Sequence, residues 1–343
     1  MNSTNKIIGL DSLRFILAFI VLLGHGTAPN IPESIITNAQ LNHYINGIIG
    51  VSFVGPAAVM VFFIISGIVI HYPYTSGRTI NTKEFYLKRI LRIAIPAIIA
   101  LAIYQIPYGI YMGVVWSLIC EVIYYLIYPL ILRYIKHLNI IILSTFIFSY
   151  FLSTYYSATH AIYNGDFHRD GYLLTWVVGF PIWLLGLKIA ENLKNRNQLA
   201  ATLIKLNLLR CSVWTLSVIT CILRFHYEIA YSFSLPIFSI LAFFWIEYEI
   251  KYHNNKKENP VLEFGGLMSY SLYLIHAYVI FLIHYFYTEK GQSIADNWML
   301  SFSAISISLL SSWIFYILIE KPSHKFTRTI TITGNTSQQS TLK

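Results

Sequence analysis

The sequence predicts an all-α, polytopic integral membrane protein of about ten transmembrane helices with both termini cytoplasmic. Three observations predict it. First, 56% of the 343 residues are hydrophobic, 11% are charged, and the mean hydropathy is +0.59. Soluble domains carry about a quarter charged residues, and 24 Lys and Arg with 15 Asp and Glu cannot cover a soluble surface of this size. A soluble globular enzyme, a disordered chain and a collagen-like chain are excluded. Second, the chain divides into mostly apolar windows of about the 20 residues that a bilayer span needs. Third, the basic residues sort to one side of those windows.

The windows are 9–28, 47–72, 90–106, 112–132, 138–154, 171–189, 209–225, 229–247, 268–287 and 298–319. The first carries Arg14 inside its apolar run and lacks an A-x-A cleavage site, so it reads as a retained span rather than a signal peptide. Only the turn-like Ile106-Pro107-Tyr108-Gly109 separates the third from the fourth, which leaves nine and eleven spans as alternatives. Residues 1–326 read as one membrane domain and 327–343 as a polar C-terminal tail. No internal repeat, dinucleotide fingerprint or P-loop is present.

With the N-terminus cytoplasmic, 20 of the 24 Lys and Arg fall on the cytoplasmic side. Arg169, Arg224 and Lys290 fall outside, and Arg14 lies within the first span. The net charge of +9, which in a soluble protein would suggest nucleic acid, is therefore an orientation signal. No nucleic-acid partner is expected, and the basic loops face membrane lipids. Cys120, Cys211 and Cys221 lie in apolar stretches without zinc spacing and read as buried small hydrophobes; no metal site is expected.

Ionisable groups inside spans are costly and are functional candidates by default. Arg14 and His25 are eleven residues apart, close to three helical turns, so they share a face about 16 Å apart along the axis. Arg14 is alternatively a snorkelling anchor beside Asp11, and His25 a helix-end histidine bonded to a carbonyl. Glu121 lies well inside the fourth span and needs a partner or a hydrogen bond to another helix. Trp116 and Ser117 precede it near the outer interface, where an aromatic belt alone accounts for a tryptophan. In the ninth span Ser269, Tyr273 and His276 fall at spacings of four and three and form one polar stripe, for packing or for lining a substrate; Ser269 is also a potential N-cap. Arg89 and Arg92 sit one turn apart at the cytoplasmic surface. They are either lipid-facing anchors or a grip on the phosphates of a cytosolic donor. His71, His160, His168 and His284, at span ends or in loops, receive no role.

Six segments, in order along nearly the whole chain, resemble the acyltransferase-3 family of bacterial membrane O-acyltransferases. They are Arg14 with His25, Phe62-Phe-Ile-Ile-Ser-Gly67, Arg89 with Arg92, and Trp116-Ser-Leu-Ile-Cys-Glu121 followed by Tyr and Pro. Ser269-Tyr-Ser-Leu-Tyr-Leu-Ile-His276 and Tyr316-Ile-Leu-Ile-Glu-Lys-Pro322 complete the set. The family's frequent Asp-Gly-Leu-Arg is Asp11-Ser-Leu-Arg14 here, Cys120 replaces the usual residue before the glutamate, and Glu-Arg-Pro is Glu320-Lys-Pro322. The resemblance implies a multi-pass protein of the bacterial cytoplasmic (inner) membrane. The expected type is a stand-alone O-antigen or surface-polysaccharide O-acetyltransferase, since the chain ends soon after span ten. It implies acyl-CoA, most often acetyl-CoA, as donor substrate with no bound cofactor, and a glycan or lipid-linked oligosaccharide as acceptor. Arg14, Arg89 and Arg92 would hold the donor's anionic end, and His25 would act as general base or accept the acyl group. Glu121 would orient that imidazole, stabilise its charged form or bind the sugar. Trp116, Ser117, Ser269, Tyr270 and His276 would line the pocket. The competing reading is a multi-pass glycan or lipid transporter or flippase, where intramembrane Arg, His and Glu are equally typical but inverted repeats are expected.

Overall fold

The computed structural model describes residues 7–108, 115–159, 172–194, 201–254, 256–287 and 293–330, with backbone alone for 104–108 and 172–174. The helices are α1 (Leu10–Leu22), α2 (Ala39–Ser52), α3 (Gly55–His71), α4 (Thr82–Tyr108), α5 (Trp116–Arg133), α6 (Leu138–Thr159) and α7 (Tyr172–Lys194). There follow α8 (Leu203–His226), α9 (Tyr231–His253), the short α10 (Pro260–Leu267), α11 (Ser269–Tyr287), α12 (Trp298–Phe315) and α13 (Lys321–Thr329). No strand occurs among the described residues. Nine helical stretches among them are long and apolar enough to cross a membrane. To these α4, with 27 residues, adds a helix of about 40 Å, and it carries the third expected span.

Three boundaries differ from the sequence reading, each for a local reason. The second window, 47–72, is not one helix. Phe53 leaves helical geometry, Val54 is extended and α3 restarts at Gly55, because Pro56 has no N–H to donate into a preceding turn and fits only the first turn of a new helix. Helix α4 runs through Ile106-Pro107 to Tyr108 rather than turning there. Beyond α12 the chain stays helical through a wider, π-type turn, Tyr316–Glu320, into α13, where Pro322 occupies the first turn. Residue 327 thus lies inside α13, and 331–343 of the expected tail fall outside the described residues.

Helix α3 is apolar all round and buried on nearly every side, as suits the centre of a bundle. It packs against α1, α7 and α9, and Ile182, Trp183 and Leu184 of α7 are fully buried beside it. Helix α6 holds the periphery, with Ile140, Leu143, Ile147 and Phe151 exposed as a lipid-facing surface requires. The α3–α7 crossing is close because it is made of glycines. A Cβ on Gly67 would stand 2.3 Å from the Trp183 carbonyl oxygen, and one on Gly186 would stand 2.0 Å from that of Ile64. Such small-residue crossings are how helices approach in lipid, where no hydrophobic force draws them together. A second glycine contact holds α10 on α1: a Cβ on Gly266 would lie 2.2 Å from the Asp11 carbonyl oxygen, and one on Gly265 2.4 Å from the Phe15 ring.

One histidine gains a structural role, and one cysteine departs from expectation. His71, given no role above, is buried. Its Nδ1 lies 2.9 Å from the Tyr128 hydroxyl and its Nε2 2.7 Å from Glu191 Oε1, tying α3 to α5 and α7. Cys120 and Cys221 are buried as expected, but Cys211 is exposed on α8. His160 and His168 lie outside the described residues.

The glycine crossing is open to test. Gly186→Ala should lower the thermal midpoint of the detergent-solubilised protein, by the about 1–3 kcal/mol typical of overpacking. Gly50→Ala, with no atom within 4 Å of the added Cβ, should not lower it. Equal midpoints for Gly186→Ala and the parent would contradict the close approach.

Candidate active site

The site begins at the start of α1. Gly9 enters the helix with φ of 83°, a conformation that suits glycine, and Glu263 of α10 accepts from Ser12 twice, at 3.1 Å from its N–H and 2.6 Å from its hydroxyl. These bonds and the Gly266 contact fix the turn that carries Arg14, whose guanidinium lies 3.8 Å from Asp11. Arg89 and Arg92 approach from α4. Arg92 Nε donates to His324 Nε2 at 3.2 Å, so His324 offers a lone pair there. Glu320, on the π-type turn, is buried and accepts from Ser271 through its backbone N–H at 3.1 Å and its hydroxyl at 2.5 Å.

These groups form one end of a cavity of about 950 Å³, counting the space at its open mouth. Further in, Glu121 lines the wall and accepts hydrogen bonds from Ser66, at 2.5 Å, and from the Tyr125 hydroxyl. Trp183 Nε1 donates to the Ser66 oxygen at 3.2 Å, so α3, α5 and α7 together hold this carboxylate. Tyr270 lines the cavity and donates to the Ile93 carbonyl at 2.9 Å. Ser269 also lines it, and its hydroxyl satisfies the Gly266 carbonyl at 2.9 Å. Deeper still, the Ser117 and Tyr273 hydroxyls lie 2.7 Å apart across the wall.

Behind Tyr273 stand two imidazoles. The His276 ring is 6.0 Å from that of Tyr273 and 4.8 Å, edge to face, from that of His25. His25 is exposed and sits in the π-type turn Leu23–Thr27 that ends α1, where its own backbone and that of Gly26 leave helical geometry. Its Nδ1 lies 2.7 Å from the Val21 carbonyl oxygen, and His276 Nδ1 lies 2.9 Å from that of Leu272. A carbonyl can only accept, so in the neutral rings both protons sit on Nδ1 and both Nε2 atoms present lone pairs. His276 Nε2 is buried with no hydrogen-bond partner. Two lone pairs beside a polar cavity are suited to taking a proton from a hydroxyl.

The structure therefore gathers most of the sequence candidates. Arg14, Arg89, Arg92, Ser117, Glu121, Ser269 and Tyr270 all line the one cavity. Arg89 and Arg92 line this interior space. Trp116 is not in the wall: it is buried behind it, edge to face with Phe63 at 6.3 Å. His25 and His276 lie beyond the wall, reached through Tyr273. The partners of Glu121 are Ser66 and Tyr125, and no bond to His25 occurs among the described residues. Trp183 and His324 escaped the sequence reading, and Ser66 entered it only as part of the Phe62–Gly67 segment, without a role. Tyr125, one helical turn after Glu121, was legible from spacing alone. No group of three or more His, Cys, Asp or Glu capable of holding a metal occurs among the described residues.

Residues 7–317 match the model of the acyltransferase-3 acyltransferase domain, and the chain belongs to that family. No curated protein and no solved structure matches it.

The carboxylate cradle gives a stability prediction. Ser66→Ala removes one donor to Glu121 and leaves the Trp183 N–H unpaired, so the solubilised protein should lose about 1–3 kcal/mol of stability, visible as a lower thermal midpoint. An unchanged midpoint would show that Glu121 is held by other means.

Proposed function

We propose that this membrane acyltransferase moves an acetyl group from cytoplasmic acetyl-CoA to a hydroxyl of a bacterial surface polysaccharide or its lipid-linked precursor, such as O-antigen, in the cytoplasmic (inner) membrane. The observation that carries the reading is the continuity of one cavity, from Arg14, Arg89 and Arg92 at the end where basic residues cluster to the Ser117–Tyr273 pair beside the histidines. Guanidiniums bind phosphate with two parallel hydrogen bonds, which suits the pyrophosphate of a CoA thioester. The pantetheine arm then follows the cavity, where Glu121 and Tyr270 offer polar contacts. The acceptor arrives from the opposite side, where His25 is exposed.

In the transfer, His25 Nε2 takes the hydroxyl proton as the acceptor oxygen attacks the thioester carbonyl. The C–O bond forms, the C–S bond breaks, and the proton passes to the departing thiolate. The Val21 carbonyl holds the Nδ1 proton and so keeps Nε2 basic. Glu121, engaged with Ser66 and Tyr125, contributes a polar lining rather than orienting that imidazole. No cofactor is required; the partners are acyl-CoA, the glycan acceptor and membrane lipids, and nucleic acid has no part.

Purified protein given labelled acetyl-CoA and lipid-linked oligosaccharide should label the glycan. His25→Ala should cut that rate by about a hundredfold or more while the protein still inserts and folds. Arg89→Gln with Arg92→Gln should raise the donor KM. Transport of the glycan without any ester formed would overturn the proposal in favour of a flippase.

A further inference from the structure

At its arginine end the cavity meets a second hollow, of about 550 Å³, lined by Lys88, Arg89 and Arg92 of α4 and by His324, Thr327 and Arg328 of α13. Arg89, Arg92 and His324 line both spaces, so the two join at those side chains. Four of the six lining residues are cationic, and the lone pair that His324 turns to Arg92 makes the fifth polar group neutral. Lys88 is paired with Glu84 at 2.5 Å, but among the described residues no carboxylate lies within 4.0 Å of Arg89, Arg92 or Arg328. Like charges converging on one hollow repel, and an anion between them reverses the sign of that energy. Arg328 lies beyond the residues that match the family, and α13 brings it to the rim from the far end of the chain.

We infer that Arg328 and Lys88 form a second anion subsite for a phosphate monoester that stands one sugar away from the pyrophosphate at Arg89 and Arg92. The inference rests on the acyl-CoA reading in one respect: it names the nucleotide end of that donor, whose ribose carries a 3′-phosphate as well as the 5′-pyrophosphate, as the ligand. Two phosphate positions separated by a ribose suit a hollow whose cations come from two helices, α4 and α13. The rim then distinguishes a donor bearing the 3′-phosphate from one lacking it, and the terminal helix becomes a specificity element. The same cations would also suit the phosphate of a lipid headgroup, and the test separates the two sources.

The full-length protein, in nanodiscs of zwitterionic lipid, is titrated with CoA and with 3′-dephospho-CoA by calorimetry. CoA should bind about tenfold tighter, the scale of a charge-assisted hydrogen bond to a partly exposed guanidinium. Arg328→Gln should bring the two affinities together. Lys325→Gln, which removes a charge from the same helix but does not line the hollow, should keep them apart. Equal affinities in the parent protein, or a loss in Arg328→Gln shared equally by both ligands, would overturn the subsite. So would an Arg328→Gln effect confined to nanodiscs containing phosphatidylglycerol, since that marks a headgroup anchor. Discrimination between the two ligands without acetyl transfer to any glycan would sink the transferase reading and keep the subsite. Transfer that uses acetyl-CoA and its 3′-dephospho form equally well would do the reverse.

Discussion

Charge in a medium that cannot solvate it governs this molecule. Within hydrocarbon a polar group must find a partner in the protein or a water-filled space, since having neither costs several kcal/mol. The carboxylates inside the bundle comply: Glu121 takes hydrogen bonds from Ser66 and Tyr125, and Glu320 takes two from Ser271. His71 bridges Tyr128 and Glu191. The guanidiniums are less fully matched: among the described residues Arg14 has only Asp11, at 3.8 Å, and Arg92 donates to an imidazole, His324. Arg14, Arg89 and Arg92 line a single cavity whose lining carboxylates, Glu121 and Glu320, are already committed to hydroxyl and amide donors. That excess of positive charge is what the proposed donor-binding role draws on.

The close helix crossings decide where those partners stand. Gly67 lets the Trp183 backbone approach, and the residue before Gly67 is Ser66, whose oxygen accepts from the Trp183 indole. The cradle of Glu121 therefore exists because two glycines let α3 and α7 touch. In the same way Gly265 and Gly266 press α10 onto α1, where Glu263 holds Ser12 two residues before Arg14. The polar site is positioned by backbone contacts made of residues that carry no chemistry.

This explains which parts were legible in the sequence. The spans follow from summed hydropathy, a property of single segments that needs no knowledge of neighbours. The stripe of Ser269, Tyr273 and His276 was legible for the same reason, since helical spacing alone puts them on one face. The partners of Glu121 come from α3 and from its own next turn, and the helix whose indole braces Ser66 lies more than a hundred residues away in sequence. No local pattern reports that. The break at Phe53–Val54 was signalled by Pro56 but hidden by an unbroken apolar run. The family resemblance implied that Trp116 lines the pocket beside Ser117, yet on a helix adjacent residues point about 100° apart, and its ring packs on Phe63.

His25 shows how two readings that the sequence kept apart become one. The spacing from Arg14 assumed a continuous helix, whereas α1 unwinds at Leu23–Thr27, between Gly24 and Gly26. A helix end leaves carbonyls without N–H partners. Here the Thr27 hydroxyl donates to Leu22 at 2.8 Å and His25 Nδ1 donates to Val21 at 2.7 Å. The histidine is thus a helix-end residue bonded to a carbonyl, the structural alternative. That bond also consumes the Nδ1 proton, fixes the tautomer and leaves Nε2 free on the exposed side, which is what the proposed general base needs. Terminating the helix and preparing the base are served by a single hydrogen bond, so neither role argues against the other.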